Sequence, residues 1–264
     1  MTTEETKEHL DNALLTSQFR LGDYIDEGYN LWKKKPLSYI AIIMLLGIAS
    51  SIANLIPLIG PVMYSLIVSP CIILGIYLGS KILDNDSDEF RFEDFFSGFA
   101  FLSKAIILYL IIFGLAILLI LPIMFQIGLS NIELINQNDP STFPIDTFNS
   151  TTLLLILPLI YAALLTSYAV PILGIYNLEP WDALRYSAKF IHKHWIMFFL
   201  YMLVILFIVL LGLLALIIGI VVTASMIYPM VYVSFKDVTD LDTYLNANTV
   251  DEEPYTGATL DDFR

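Results

Sequence analysis

His192 and His194 flank Lys193 in a chain that has only three histidines in 264 residues. Two imidazoles this close could begin a metal site or supply a general base. On a helix, however, residues two apart point in different directions, and the cation between them opposes a bound metal. No further ligand stands nearby in the sequence, so both read as polar residues of a membrane interface. Asp182, Arg185 and Lys189 have the three-to-four spacing of an ion-pair ladder on one solvated helix face. An acid–base set for an intramembrane enzyme would have to be drawn from Asp94, Asp182 and His192, which belong to separate polar segments. His9 is isolated near the N-terminus. Ser–His–Asp arrangements, HExxH, glycine-rich phosphate loops and CxxC pairs are absent from the sequence. Cys71 is its single cysteine and has no second thiol to pair with. No catalytic, cofactor-binding or metal-ligating residue is expected, hence no cofactor, and the chain is read as a non-enzyme.

The elements that position these residues are apolar. Runs 36–57, 61–80, 105–128, 152–177, 195–217 and 219–235 contain no Asp, Glu, Lys or Arg. Most approach the roughly 20 residues needed to cross hydrocarbon as a helix. The expectation is an all-α polytopic bundle of six transmembrane helices over residues 21–236, between a polar N-terminal tail (1–20) and an acidic C-terminal tail (237–264). Residues 1–20 lack the basic and apolar regions of a cleavable signal, so the first span is expected to direct insertion. The cations cluster on one side of the spans: Lys33, Lys34 and Lys35; Lys81, Arg91 and Lys104; Arg185, Lys189 and Lys193; Lys236. The connections at 58–60, 129–151 and near Gly219 have none, which predicts both termini in the cytoplasm. The net charge of −13 argues against nucleic-acid binding. The acidic tails are read as disordered or partner-dependent. Tyr244, Leu245, Tyr255 and Phe263 in 237–264 are points on which a cytoplasmic protein could dock.

A period runs along the chain: an amphipathic stretch with a basic end precedes each pair of spans. Leu21, Ile25, Gly28 and Trp32 form the apolar face of the first stretch. Phe92, Phe95, Phe96, Phe99 and Leu102 form that of the second, and Trp181, Leu184, Ala188, Ile191 and Trp195 that of the third. Their expected membrane-surface contacts are Trp32, Lys33, Lys34, Lys35, Phe95, Phe96, Phe99, Trp181, Arg185, Lys189, Lys193 and Trp195. Phe92, Phe95, Phe96 and Phe99 should lie in the headgroup region or pack on the bundle, with Glu93 and Asp94 facing water. Gly60 precedes Pro70 by ten residues, as Gly219 precedes Pro229, and Pro171 holds the matching place in span four. These spacings predict a pseudo-threefold repeat of hairpins with kinks at Pro70, Pro171 and Pro229. Gly75-x-x-x-Gly79, Gly47-x-x-x-Ser51 and Ala215-x-x-x-Gly219 are read as internal packing seams. Asn54, Ser50, Ser51, Ser69, Thr166 and Tyr168 could line a neutral cavity, although interhelical hydrogen bonds are the favoured reading.

The segments Tyr29-Asn-Leu-Trp-Lys-Lys-Lys-Pro36, Phe92-Glu-Asp-Phe-Phe-Ser-Gly-Phe99 and Glu179-Pro-Trp-Asp-Ala-Leu-Arg-Tyr-Ser187 give the chain a resemblance over residues 20–240. It resembles bacterial six-helix membrane proteins related to the membrane domain fused to some glycerophosphodiester phosphodiesterases. That resemblance implies a multi-pass protein of the bacterial cytoplasmic membrane without catalytic residues of its own, so phosphodiesterase activity is not carried over. The expected function is a non-enzymatic scaffold or accessory protein in membrane or lipid organisation, with membrane lipids as partners. The alternative is a transporter or binding protein for a neutral or amphipathic molecule such as a lipid. The absence of charge within the spans speaks against an ion- or proton-coupled pump.

Overall fold

The computed structural model describes residues 2–86, 88–136, 150–214 and 216–250, with side chains described outside 126–136, 150–155, 215–218 and 249–250. All regular structure among them is helical: α1 (Thr3–Thr16), α2 (Leu21–Lys34), α3 (Pro36–Ala53), α4 (Ile59–Met63), a π-helical turn (Tyr64–Val68) and α5 (Ser69–Asn85). A 3₁₀ helix (Phe92–Phe101) then leads into α6 (Leu102–Asn136), α7 (Ser150–Leu165) and α8 (Ala169–Ile175). The chain ends in α9 (Pro180–Lys193), α10 (Trp195–Leu213), α11 (Leu216–Val238) and α12 (Leu241–Val250). Six stretches are long and apolar enough to cross a membrane: Pro36–Ala53, Ile59–Asn85, Phe92–Phe125, Ile156–Ile175, Trp195–Leu213 and Gly219–Val238. Their length and apolarity make the chain a multi-pass membrane protein. Helix α6 continues past residue 128 into the expected outer loop, of which 137–149 lie outside the described residues. The last hairpin turns before Leu216, so Gly219 stands inside a helix instead of at the turn.

Each of the three prolines is buried, and each is accommodated differently. Pro70 follows the π-helical turn, whose wider winding accommodates a ring that would otherwise strike the carbonyl one turn back. Pro171 lies in α8, beyond a break at residues 166–168. Pro229 stays within continuous α11. The segments after them, in α5, α8 and α11, are themselves largely buried and belong to one core.

An amphipathic helix runs antiparallel along each of these segments, as the register of contacts shows. On α11, Tyr24 donates to Asp237 Oδ2 at 2.6 Å and the Trp32 indole N–H to Ser225 Oγ at 2.9 Å. Between them Gly28 abuts Met230, whose Cα would lie 2.6 Å from a β-carbon at position 28. On α5, a β-carbon at Gly75 would stand 1.8 Å from Phe95 O, and one at Gly98 would stand 2.0 Å from Cys71 O. On α7 and α8, Ser187 Oγ donates to Leu165 O at 2.6 Å and accepts from Tyr168 N–H at 3.1 Å. Farther along, His192 Nδ1 meets Tyr161 OH at 2.6 Å. The second of these helices is wound as 3₁₀ over ten residues instead of the expected α period. Three residues per turn put Phe95 and Gly98 on one ridge, which allows the backbone of the helix to rest on that of α5.

The terminal segments also differ from the expected tails. Thr2 and Glu5 form a capping box that starts α1, and Thr6, Leu10 and Ala13 make a narrow buried stripe at helical spacing. Such a stripe leaves the composition polar while still docking the helix, which is why residues 1–20 resemble a free tail. At the other end α12 buries Leu241 and Tyr244 after a turn at Asp240, where φ is +50°. The chain ends meet, with Thr6 Oγ1 3.4 Å from Tyr244 OH and His9 Nε2 3.1 Å from Thr239 O. Residues 251–264 lie outside the described ones.

Of the small-residue seams, Gly75 and Gly79 both face Phe95 and are internal, whereas a β-carbon at Gly47 meets nothing within 4 Å. Ala215 lies outside the described residues. Gly98→Ala is therefore expected to lower stability by about 1–3 kcal/mol through overpacking. Gly47→Ala should be neutral or stabilising, since helix propensity alone favours alanine. Thermal unfolding of the two variants in one detergent checks the contrast.

Candidate functional site

The centre, where α5, α8 and α11 meet, is filled. Leu74 closes on Gly174, and the Tyr168 ring lies 5.8 Å from Phe235 and 5.2 Å from Phe198. Tyr168 OH donates to Ser234 Oγ at 2.9 Å, and Tyr39 OH lies 2.8 Å from Ser80 Oγ. The favoured expectation of interhelical hydrogen bonds is not met at Ser51, Asn54 and Thr166, which bond backbone carbonyls one turn back, at 2.9, 2.7 and 2.9 Å, and these residues do not meet in one central cavity. Among the described residues Tyr201 OH is the one buried side-chain polar atom with no hydrogen-bond partner.

Charge gathers on the face where the chain ends meet. Asp237 accepts from Arg20 and from Tyr24, which is fully buried; burial and this carboxylate raise the Tyr24 pKa and hold the hydroxyl protonated. Lys236 pairs with Asp84 at 2.8 Å and Asp242 at 3.0 Å, tying α5, α11 and α12 together. Lys34 donates to Leu83 O and Asp84 O at 3.2 and 3.4 Å, capping the end of α5. Lys193 donates to Leu14 O, Leu15 O and Ser17 O and does the same for α1. Lys7 pairs with Asp182 at 3.0 Å, a bond that raises its pKa. Lys189 pairs with Asp11 at 2.9 Å, which lowers that of Asp11. The Tyr186 hydroxyl, donating to Asp11 Oδ2 at 3.1 Å, is pushed up to about 12 by burial and by Asp11.

These contacts redistribute the expected membrane-surface residues. Phe95 is fully buried against Tyr39, Phe90 and Gly79, so of the two expected places it takes the bundle and not the membrane surface, as the 3₁₀ winding requires. Trp32 turns its N–H into the bundle, and Lys34, Lys189 and Lys193 bind protein groups. Lys33 lies 4.7 Å above the Tyr29 ring, and Lys35 is half-buried where α2 gives way to α3. Phe96, Phe99, Trp181, Arg185 and Trp195 are exposed. Glu93 is exposed, while half-buried Asp94 caps the 3₁₀ helix by accepting from Arg91 N–H at 2.6 Å. Asp94, Asp182 and His192 have separate partners and do not converge. His9, read as isolated, joins the Tyr176 and Tyr244 rings, with centroids 6.2 and 5.3 Å away. His194 Nε2 lies 3.1 Å from Ser17 Oγ; burial, then Lys193, lowers its pKa.

Two lateral clefts open between helices. One of about 400 Å³ is bounded by Leu115, Ala162, Leu165, Thr166, Trp181, Leu184, Arg185 and Ala188. The other, about 550 Å³, lies beside the π-helical turn and is lined by Pro61, Leu66, Ile112 and Phe113 with the hydroxyls of Ser65, Ser69 and Tyr109. Neither was legible as a site, because each joins residues distant in sequence. Of the apolar face expected for the third amphipathic stretch, Ile191 is buried against protein with Ala183, Tyr186, Ser187 and Phe190, whereas Leu184 and Ala188 are half-buried and Trp181 and Trp195 exposed.

Fold and site together define a helical multi-pass membrane protein with a filled centre and lateral clefts. No family model, curated protein or solved structure matches the chain.

Tyr24→Phe should cost about 1.5–3 kcal/mol, since it removes a buried hydrogen bond to a carboxylate. Tyr201→Phe should be neutral or stabilising, because it deletes an unpaired hydroxyl. Denaturation midpoints of the two variants test this opposition. The neutral form of His194 contributes stability that is complete above its ordinary pKa of 6.5 and is lost as pH falls through its lower folded value. The melting temperature should therefore fall between about pH 7 and pH 5, and less so in His194→Asn, as read by parallel thermal melts.

Proposed function

We propose that this chain is a non-enzymatic scaffold or accessory protein in membrane or lipid organisation. We place it in the bacterial cytoplasmic membrane with both termini cytoplasmic. The filled centre carries this reading: α5, the start of α8 and α11 meet through Leu74, Tyr168 and Phe235, leaving side chains where a transport path would run. The placement of the cations supports the orientation. The recurrence of one antiparallel pairing, on α5, on α7 and α8 and on α11, supports the pseudo-threefold repeat. In that repeat α2 completes the last unit by packing on α11, so the two ends of the chain close a ring.

A second reading, lipid binding, is favoured by the two lateral clefts, which open between spans where lipid would surround them. In proteoliposomes the scaffold reading expects no ion or proton flux and no lipid scrambling above that of protein-free vesicles; measurable flux or scrambling would replace it with transport. For orientation, cysteines introduced at positions 140–145 in a Cys71→Ser background should react with an impermeant maleimide from outside intact spheroplasts. A cysteine at Glu4 should react only after lysis.

A further inference from the structure

The cleft beside α9 combines three features. Its walls, Leu115 of α6 and Ala162 and Leu165 of α7 with Leu184 and Ala188 of α9, are aliphatic. Trp181 stands at its edge 65% exposed, an indole with one apolar and one wet side, as aromatic residues at a membrane boundary have. Arg185, one turn farther along the same helix, is exposed and makes no ion pair among the described residues. The carboxylates in its neighbourhood are already engaged: Asp182 with Lys7 at 3.0 Å and Asp11 with Lys189 at 2.9 Å. The other cations of α9 are bound as well, Lys189 to Asp11 and Lys193 to the end of α1. Arg185 is thus a planar donor left exposed beside an aliphatic trough.

We propose that this cleft binds an anionic phospholipid of the surrounding bilayer, with one acyl chain along Leu115, Ala162, Leu165 and Leu184 and its phosphate on Arg185. This rests on the lipid-binding reading and gives it a site and a headgroup charge. Guanidinium suits the occupant because its fork donates two parallel bonds to phosphate oxygens, and a cation near the surface favours anionic over zwitterionic lipid. The second cleft has hydroxyls but no cation on its walls, so a lipid there would not be selected by headgroup charge.

The test uses full-length protein in vesicles of phosphatidylcholine containing brominated phosphatidylglycerol or brominated phosphatidylcholine. Subtracting the fluorescence of Trp181→Phe isolates Trp181 from Trp32 and Trp195. The expected result is preferential quenching of Trp181 by the brominated anionic lipid, on the order of fivefold in relative association constant, the factor one surface cation contributes. Arg185→Gln should bring that ratio to one, and Arg185→Lys should retain part of it. Since Arg185 is exposed and makes no ion pair among the described residues, acting on Asp11 only at longer range, both variants should melt close to the parent. Equal quenching by the two lipids in the parent, or a preference that survives Arg185→Gln, overturns the headgroup assignment and leaves lipid occupancy standing. Quenching by neither lipid overturns both.

Discussion

Hydrocarbon accepts neither a bare charge nor an unpaired backbone group, and this constraint orders the whole molecule. It keeps Asp, Glu, Lys and Arg out of the six apolar runs, and it requires the backbone of each interrupted span to be satisfied. Span four shows how this is done. Its helix breaks at residues 166–168, and Ser187 of α9 serves both sides, accepting from Tyr168 N–H and donating to Leu165 O. Span two avoids a break by winding one π-helical turn ahead of Pro70. The amphipathic helices are consequently parts of the spans' own hydrogen bonding and packing, and not merely floats on the membrane surface.

Without a hydrophobic drive between apolar helices, close contact must come from shape and from polar bonds. The shape term is concentrated at Gly28, Gly75 and Gly98, where no β-carbon fits against the facing backbone. Glycine in a helix costs up to about 1 kcal/mol in propensity, less than the roughly 1–3 kcal/mol of forcing a methyl into such a contact. Packing therefore wins at these three positions, and at open Gly47 it has no claim. The polar term is selective too. Exposed ion pairs contribute little, so pairs such as Arg91 with Glu93, both largely in water, matter less than the buried Tyr24 hydroxyl on Asp237 or Lys193 on the last carbonyls of α1.

Much of the architecture was legible because it depends on composition over long windows. Six uncharged runs predict six apolar helices; most span ends differ by only a few residues, while the third stretch begins earlier, at Phe92, and its helix runs on to Asn136. What escaped depends on single contacts. The 3₁₀ winding of 92–101 is dictated by the fit of Gly98 to Cys71 O, a partner 27 residues earlier that no local periodicity reveals. Helix α1 docks through a stripe of three residues, too narrow to alter the polar character of 1–20. Trp32 and Lys193 have the chemistry of interface anchors, and only tertiary placement shows that their donors turn to Ser225 and to the end of α1. The clefts were invisible for the same reason, since their walls come from different helices.

Helix α9 joins these strands of argument. A helix with one apolar stripe has one orientation available, but α9 has two stripes of different character. Ala183, Ser187 and Phe190 are small or flat enough to seat against α7 and α8, where Ser187 must approach the break in span four. That demand decides which stripe turns inward, because an unpaired backbone break in a low-dielectric setting costs more than leaving aliphatic side chains to lipid. The broader stripe of Trp181, Leu184 and Ala188 is thereby left facing the cleft, with Arg185 beside it. The open trough and its exposed arginine are thus by-products of how the span repairs its own interruption, which ties the proposed lipid contact to the backbone chemistry that holds the bundle together.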